Sequence, residues 1–455
     1  MINGPLFRSI IKFSIPIMLS NLLGVFYHAA DVIVVGKFGS PDALAGVGAT
    51  GPIVALLTAL FTGLSVGVQV VVAKALGVGD KKRTQKLVHT SMLLSLICGA
   101  IIAAIGLILT DSILSGMNVP EDGNVFLQAK IYLQITFLTR FPTMIYNFGA
   151  GILNAKGDSK TPMYIIMVSG AINVIFNLIF VIVFGMEAEG VALATFISLI
   201  VCAVWVLIVL FRAEEPIRLS LKKLKLHKDC LFEIVKIGIP SGLQSLSFQL
   251  PNVIVQSSIN SFGGAYMAGD TAASSVGNLF YAAISMFLTA CAVFTSQNYG
   301  AKNYRRVSKT VLYCLLLTGG LWIIDILAVF TLGEPMLGLY VANDVSAVER
   351  AEIIAHGFVR LVWVVGFYGV NMISELFATT LRSMGYPMRS LISSLIGVCV
   401  VRIVWIYTAF RYLGTFESIY MCFPLSWACS LILSTVMLLM ARRKLCKSEA
   451  VEFAK

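Results

Sequence analysis

Charged residues are scarce in this sequence of 455 residues, because Asp, Glu, Lys and Arg together account for only 13% of it. Hydrophobic residues make up 58%, and the mean hydropathy is +0.88. These values lie far outside the range of a soluble globular domain. The composition therefore predicts a membrane protein.

Common catalytic and metal-binding patterns are also missing. The sequence has no paired acids on one helix, no G-x-S-x-G or H-E-x-x-H motif and no Cys/His array. Its four histidines are scattered, and its nine cysteines lie mostly in apolar segments without a C-x-x-C pair. Such cysteines are typical of buried thiols rather than disulfides or metal ligands. We therefore predict that the protein is not a membrane-embedded enzyme and has no cofactor.

Apolar stretches of about 20 residues or more, the length that crosses ~30 Å of hydrocarbon, recur through the chain. Strands of a membrane barrel would alternate over ~10 residues and be less hydrophobic. No cleavable signal peptide is expected, because the first stretch is too long and lacks a small-residue cleavage site. The predicted fold is an all-α membrane protein with twelve transmembrane helices, at about 13–36, 46–74, 88–110, 125–153, 163–185, 190–211, 233–261, 271–298, 309–332, 352–380, 390–410 and 418–441.

The net charge of +11 is distributed unevenly along the chain. Of the 34 Lys and Arg, 27 lie at the N-terminus, in the even-numbered connections and the span ends next to them, or at the C-terminus. The odd-numbered connections carry acids: Asp111, Glu121, Asp122, Glu187, Glu189, Glu334, Asp344 and Glu417. By the positive-inside rule, both termini are predicted to lie on the cytoplasmic side of the membrane, which requires an even number of spans. Because the charge alternates with hydropathy, nucleic-acid binding is not expected.

The second half of the chain repeats the first about 224 residues later. Ile15-Pro16 returns as Ile239-Pro240, and Leu153 to Gly157 corresponds to Leu381 to Gly385. Two homologous helical lobes around a midplane cavity are a common plan of secondary transporters. The repeat predicts two six-helix lobes, 1–213 and 232–455, related by a pseudo-two-fold axis along the membrane normal. A basic linker, 214–231, joins them and either lies on the inner membrane face or is solvated.

Three acids are predicted to lie inside the spans, namely Asp31, Asp325 and Glu375. A charge near the bilayer centre costs at least ~2.5–3.5 kcal/mol, so each acid needs a partner, a cavity or a function. For Glu375 we consider a second acidic site, a substrate counter-ion, or a partner for Arg402 or Arg360. Asp325 receives no role.

Oxygen-bearing side chains are predicted to meet Asp31 at one depth. Asn173 and Asn177 are four residues apart in the fifth span and share a helix face. At ~1.5 Å per residue, Asn177 lies ~22 Å from the inner end of its span and Thr195 lies ~10 Å from the outer end of the next. These depths nearly coincide in a slab of ~30 Å, and Asp31 reaches a similar level.

This set suits Na⁺, with Asp31, Asn173 and Asn177 as oxygen ligands, or a proton carried on Asp31. The alternative is that the asparagines only hold helices together. At the repeat offsets, Asp31 corresponds to Val255 and Asn177 to Trp405, so the acid-plus-amide set is predicted in one lobe only.

The order of these motifs resembles the multidrug and toxic compound extrusion (MATE) transporters over nearly the whole chain. The resemblance lies in a proline in the first span, the Asp31…Gly36…Gly39 pattern, Leu153 to Asp158, the Asn173/Asn177 pair, Gly190 to Thr195 and Leu381 to Gly385. It implies an antiporter that exports cationic or amphipathic organic compounds in exchange for Na⁺ or H⁺. It also implies that Asp31, Asn173, Asn177 and Thr195 carry the coupling ion and that the first helix bends at Pro16.

The C-terminal half departs from the family pattern. Some members carry a carboxylate in the seventh span, where this chain has Gln244 and Gln249, or an Asp in the tenth, where it has Asn371. This departure favours the N-terminal site for coupling. The candidates for the substrate cavity are Tyr27, Tyr146, Asn147, Gln244, Gln249, Phe280, Met286, Asn371 and Glu375.

The strongest alternative function is a flippase for a lipid-linked precursor, which shares the two-lobe plan. Such a protein needs a strongly cationic cavity to bind pyrophosphate, whereas the best site in this sequence is acidic. The expected partners are therefore small organic cations or amphipathic drugs and the lipid bilayer. Nothing in the sequence demands more than a monomer.

Overall fold

The computed structural model describes residues 1–38, 40–116, 124–341 and 346–453. The described residues contain no strand, and nearly all of them lie in helices. The acids Glu121, Asp122 and Asp344, predicted for the odd-numbered connections, lie outside the described residues, as does Gly39 of the first motif.

Each predicted span corresponds to a helical stretch, and several stretches are divided by a kink or a short irregular turn. In chain order the helices are α1 Leu6–Phe38, α2 Pro41–Val78, α3 Lys81–Gly116, α4 Asn124–Lys156, α5 Lys160–Leu178, α6 Ala188–Arg212, α7 Lys228–Asn260, α8 Gly264–Ile284, α9 Met286–Gly300, α10 Tyr304–Gly338, α11 Ala347–Val364, α12 Tyr368–Ser383, α13 Pro387–Ser394, α14 Val401–Tyr407, α15 Ala409–Leu413, α16 Phe416–Tyr420 and α17 Cys422–Phe453.

Ten stretches of the described chain are long and apolar enough to cross a membrane. Helices α4 and α7 do not meet that criterion, although each has 33 residues. Both interrupt their apolar residues with amide side chains, such as Gln128 and Gln134 in α4 and Gln244 and Gln249 in α7. These two helices therefore carry polar groups that need partners within the protein.

The sequence repeat is visible in the way two helices end. Gly157 after α4 and Gly385 after α12 both have positive φ, 104° and 90°. The residue after each glycine donates its backbone N–H to the leucine that starts the motif, Asp158 to Leu153 at 3.0 Å and Tyr386 to Leu381 at 2.8 Å. This six-residue closure satisfies carbonyls at a helix end and requires a residue that tolerates the left-handed region.

The chain forms two compact units, Ile15–Gly242 and the combination of Met1–Ser14 with Leu243–Lys455. We call them the N-terminal unit and the C-terminal unit. The predicted lobe boundaries at 213 and 232 differ from this division and stay a prediction.

In the N-terminal unit, α4 packs against α2, α3 and α6, and α5 packs on α6. Helix α2 also crosses the first part of α7, where glycines allow the two backbones to touch. A Cβ on Gly63 would lie 2.1 Å from the backbone nitrogen of Gly242, and one on Gly67 would lie 2.6 Å from the carbonyl oxygen of Ile234. Small residues spaced four apart commonly permit such close helix crossings in membranes.

In the C-terminal unit, α8 packs against α11, and α12 packs against α9, α10 and α17. Its core is rich in aromatic rings. Tyr368 and Phe423 both contact Trp427, with ring centroids 5.8 and 5.6 Å apart. Gly369 allows α12 to approach α10, because a Cβ there would lie 2.3 Å from the Trp322 ring.

The linker between α6 and α7 contains only a short 3-10 turn, Leu221–Lys223. Ile217 and Leu219 are 1% and 3% exposed, whereas Leu221 is 69% exposed. The backbone N–H of Ser220 donates to Nε2 of His89 in α3 at 3.1 Å. Part of the linker's apolar surface is therefore buried against the N-terminal unit.

Candidate functional site

Asp31, Asn173, Asn177 and Thr195 form a closed ring of hydrogen bonds in the N-terminal unit. Asn177 Nδ2 donates to Asp31 Oδ1 at 2.6 Å, and Thr195 Oγ1 donates to Asp31 Oδ2 at 3.2 Å. Asn173 closes the ring, because its Nδ2 donates to Thr195 Oγ1 at 3.1 Å and its Oδ1 accepts from Asn177 Nδ2 at 3.3 Å. Residues of α1, α5 and α6 thus meet at one point.

The ring is buried. Asp31, Asn173 and Asn177 are 8%, 3% and 0% exposed, and Thr195 is half-buried. On α5, Ser169, Asn173 and Asn177 follow one another at intervals of four residues, so the helix buries a polar stripe. Ser169 Oγ also donates to the carbonyl oxygen of Ser198 on α6. This polar stripe holds α5 and α6 together through the hydrogen bonds of Ser169 and Asn173.

Apolar packing on one side of the ring fixes its position. Val34 and Val35, one turn beyond Asp31, form a buried cluster with Val181, Ala188 and Val191. Val181 belongs to a π-helical turn, Ile179–Val183, which begins two residues after Asn177. Single π turns often occur next to functional side chains, because they change the direction in which a helix presents its residues.

One acceptor of the ring has no hydrogen-bond partner. Asn177 Oδ1 is fully buried and accepts nothing. An unsatisfied buried acceptor costs about 1–3 kcal/mol, and amide and carboxylate oxygens are the ligands that hard cations prefer. Together with the Asp31 carboxylate, this oxygen fits a small cation.

The predicted cavity residues of the N-terminal unit do not join the ring through a described hydrogen bond. The Tyr27 hydroxyl donates to the carbonyl oxygen of Ile166 at 2.7 Å, and the Tyr146 hydroxyl donates to that of Pro162 at 3.2 Å. The Tyr27 ring rests on Gly170, where a Cβ would lie 1.6 Å from the ring carbon Cζ. Both tyrosines thus bind the backbone of α5. Asn147 is half-buried.

In the C-terminal unit, Glu375 lies in a polar cluster on α8 and α12. Its carboxylate is next to the Tyr281 hydroxyl and the Asn371 amide, and it is close enough to Arg382 to interact with its charge. Glu375 and Arg382 are seven residues apart, which places them two turns apart on one face of α12. This spacing is the signal in the sequence that could have identified Arg382 as a neighbour of Glu375.

Gln244 belongs to the same cluster. Its Oε1 accepts from Arg382 Nη1 at 3.0 Å and from Ser390 Oγ at 2.9 Å. The remaining cavity candidates of this unit do not join the cluster through a described hydrogen bond. Gln249 is exposed, Phe280 is half-buried against the aromatic core, and Met286 is 7% exposed.

The predicted partners of Glu375 are wrong, because both arginines bind elsewhere. Arg360 forms an ion pair with Asp270. Arg402 is buried and donates to Asn252 Oδ1 at 2.8 Å and to Ser426 Oγ at 3.0 Å.

The prediction of three intramembrane acids also omitted Asp270. Helix α8 begins at Gly264, seven residues before the predicted start of that span, so Asp270 lies inside it and is 1% exposed. Its Oδ1 accepts from Arg360 and from the Tyr420 hydroxyl. Asp325 is 3% exposed, and its Oδ2 has no hydrogen-bond partner.

The fold matches solved transporter structures along almost the entire chain. An outward-facing multidrug resistance MATE family transporter of the MOP superfamily superposes with a TM-score of 0.88 at 24% identity and covers 98% of each chain. MATE in the bent conformation gives a TM-score of 0.89 at 23% identity with the same coverage. The architecture is that of a multi-pass MATE transporter, which confirms the predicted all-α, two-lobe fold class.

Sequence comparisons agree. The Bacillus subtilis protein named probable multidrug resistance protein YoeA is 25% identical and covers 94% of this chain and 92% of its own length. Multidrug export protein MepA of Staphylococcus aureus is 23% identical over 90% of this chain and 88% of its own. The MatE family model matches residues 16–179 and 240–408, two segments that start one repeat apart. The chain belongs to the MatE family, as its motifs predicted.

Proposed function

We propose that the protein is an antiporter that exports cationic or amphipathic organic compounds in exchange for Na⁺ or H⁺ entering at Asp31. Family membership and the names of the relatives YoeA and MepA support drug export. Neither the family nor these names favour the alternative function, a flippase for a lipid-linked precursor. The observation that carries the coupling role is the buried ring around Asp31 with its unsatisfied acceptor, Asn177 Oδ1.

The directions of the hydrogen bonds give the site two states. In the described state, both carboxylate oxygens of Asp31 accept hydrogen bonds, one from Asn177 and one from Thr195. A proton on Oδ2 would turn that oxygen into a donor, and the Thr195 hydroxyl would have to rotate. A Na⁺ ion would attract Asn177 Oδ1 and displace the donated N–H. A proton therefore reverses the hydrogen bond between Asp31 and Thr195, whereas Na⁺ breaks the one between Asp31 and Asn177, and either event changes how α1 is held against α5 and α6.

Helix α1 is suited to transmit this change. Pro16 lies inside it and removes one backbone hydrogen bond, so the helix can bend there. Asp31 is fifteen residues farther along, ~22 Å from the proline along the axis. We infer that occupancy at Asp31 changes the course of α1 and lowers affinity for the organic substrate. Reciprocity requires that the substrate weaken cation binding by the same factor.

The proposed orientation places both termini on the cytoplasmic side of a bacterial inner membrane. Its support is the asymmetric distribution of Lys and Arg, 27 of 34 of which lie on one side of the predicted spans.

The test is gradient-driven efflux of a fluorescent organic cation from proteoliposomes, with Na⁺ and pH gradients imposed separately. Asp31→Asn is expected to abolish the response to the coupling gradient, because the amide cannot take up a proton or supply a charge to Na⁺. Asp111→Asn is the matched control: it removes a carboxylate that is 62% exposed and pairs with Lys130. Full gradient-driven efflux by Asp31→Asn would remove Asp31 from the mechanism.

A second variant distinguishes the two cations. Asn177→Val removes the unsatisfied amide oxygen but keeps the carboxylate. If Na⁺ is the coupling ion, the variant removes one oxygen ligand of the ion. The concentration of Na⁺ that gives half-maximal efflux is then expected to rise at least about tenfold. If H⁺ is the coupling ion, efflux is expected to persist with a shifted pH profile.

A further inference from the structure

A groove in the C-terminal unit is lined by none of the residues of the proposed coupling site. It is bounded by the first turns of α10, the last turns of α12 and the later turns of α17, and its volume is about 650 Å³. Most of its wall is apolar, formed by side chains such as Leu312, Leu315, Phe377 and Leu439. This volume lies within the range of small-molecule sites, ~300–1,000 Å³.

Among the described residues of the wall, the formal charges are positive: Arg305 and Arg442 line the groove, and no described lining residue is acidic. Both arginines are exposed, and the Arg442 side chain donates to Ser308 Oγ at 3.3 Å. Arg306, by contrast, is bound to the carbonyl oxygens of Met1, Asn3 and Gly4. The groove therefore offers two guanidinium groups to an anion and repels a cation.

The charges are grouped at one end of the groove. Arg305 is in the first turn of α10, and Leu315 is ten residues farther, ~15 Å along the axis. Phe377 on α12 and Thr435 on α17 each lie seven residues, ~10 Å, from the end that carries the arginines. An apolar depth of ~10–15 Å is close to one leaflet of a bilayer whose hydrocarbon core is ~30 Å thick.

The apolar wall of the groove is open at the surface of the C-terminal unit. Leu312 and Leu439 are 51% and 52% exposed although they lie within candidate spans. Their side chains are therefore available for contact with an apolar molecule outside the protein. The end of the groove that carries Arg305 and Arg442 lies next to the predicted basic connections of the chain. Helices enter the membrane–water interface there, and arginine side chains at that interface attract anionic lipid headgroups. The positive end of the α10 helix dipole lies at the same end of the groove and also favours a negative charge there.

We propose that this groove binds one anionic phospholipid, with its phosphate between Arg305 and Arg442 and an acyl chain along Leu312, Leu315 and Phe377. The occupant is a lipid rather than a soluble phosphate because the wall is mostly apolar. An exported organic cation does not fit the groove, because it would meet two positive charges. The site is thus a lipid-binding site formed within the C-terminal unit.

The experiment is native mass spectrometry of the full chain released from detergent, titrated with phosphatidylglycerol and, separately, with phosphatidylcholine. The wild-type protein is expected to retain one phosphatidylglycerol more tightly than any phosphatidylcholine. Arg305→Gln with Arg442→Gln is expected to lower this retention about 30-fold, because each basic residue near an anionic headgroup contributes about fivefold. The matched control is Lys309→Gln with Arg443→Gln, which removes the same charge from the same two helices outside the groove.

A groove-filling variant separates the headgroup from the chain. Leu315→Trp keeps both arginines and is expected to reduce retention of phosphatidylglycerol, while glycerol phosphate without acyl chains is expected not to compete. Equal retention of both lipids, equal loss in the two double variants, or full competition by glycerol phosphate would each overturn the proposal. Monodisperse elution of every variant serves as the folding control.

Discussion

Replacing Asp270 while keeping Arg360 is expected to destabilise the C-terminal unit strongly. The two side chains form a buried ion pair and are only 2% and 16% exposed. The Tyr420 hydroxyl donates to the same carboxylate oxygen at 2.7 Å, and Arg360 also donates to Ser274 Oγ at 3.3 Å. Asp270→Asn leaves a guanidinium group without its carboxylate inside the core. Breaking a buried pair in this way costs about 3–5 kcal/mol.

Removing both charges should cost much less than removing one. Asp270→Leu with Arg360→Met replaces the pair by apolar groups of similar volume, which is often neutral or stabilising. The Tyr420 hydroxyl would then lack its acceptor, at a cost of about 1–3 kcal/mol, so Tyr420→Phe is added. The triple variant is expected to recover most of the stability lost in Asp270→Asn.

The measurement is the fraction of purified protein that remains monodisperse after heating, determined for each variant over a range of temperatures. Lys130→Gln provides a reference, because it breaks an ion pair with Asp111 whose partners are 34% and 62% exposed. Exposed pairs contribute about 0–1 kcal/mol. The reasoning is refuted if Asp270→Asn lowers the transition no more than Lys130→Gln, or if the triple variant is no more stable than the single one.

Three further perturbations test the packing and the local chemistry. Gly63→Leu is expected to prevent folding or lower thermal stability sharply, because even a Cβ would lie 2.1 Å from the backbone of Gly242. The control is Gly24→Leu, since nothing lies within 4 Å of a Cβ at that position. Equal stability of the two variants would contradict the close contact at Gly63. Asp158→Ala removes the acceptor for two backbone N–H groups at the start of α5 and should cost about 1 kcal/mol, measured by thermal unfolding. Burial, followed by the nearby Asp229 charge, raises the pKa of the Cys230 thiol to about 11. In a variant with no other cysteine, alkylation should therefore keep rising about tenfold per pH unit between about pH 7 and 9, whereas a plateau near about pH 8.5 would indicate an ordinary thiol.

Most of the fold followed from local patterns that the sequence displays directly. Long apolar runs predicted the helices, and the glycine motif that ends at Gly157 and Gly385 marks the same helix termination in both halves. The composition of the Asp31 site was also accessible, because Asn173 and Asn177 share a helix face and a depth argument needs only the rise per residue.

The errors came from boundaries and from partner choice. Asp270 was omitted because a span read from hydropathy began at 271, whereas the helix extends over polar and small residues back to Gly264. Glu375 was given Arg360 or Arg402 as a possible partner, because sequence shows which charges need compensation but not which helices adjoin. Its neighbour on the same helix, Arg382, was overlooked.

The sequence alone determined that the chain crosses a membrane many times, that its halves are related, and which polar groups must be buried, since these depend on hydropathy and spacing. Only the tertiary structure decided which of those groups meet. Asp31 binds Asn177 and Thr195 across separations of 146 and 164 residues. Such contacts depend on how helices pack, and packing is set by the shapes of surfaces that no short stretch of sequence contains. The same is true of the unsatisfied oxygen of Asn177, because a missing hydrogen-bond donor can be recognised only once the surrounding side chains are in place.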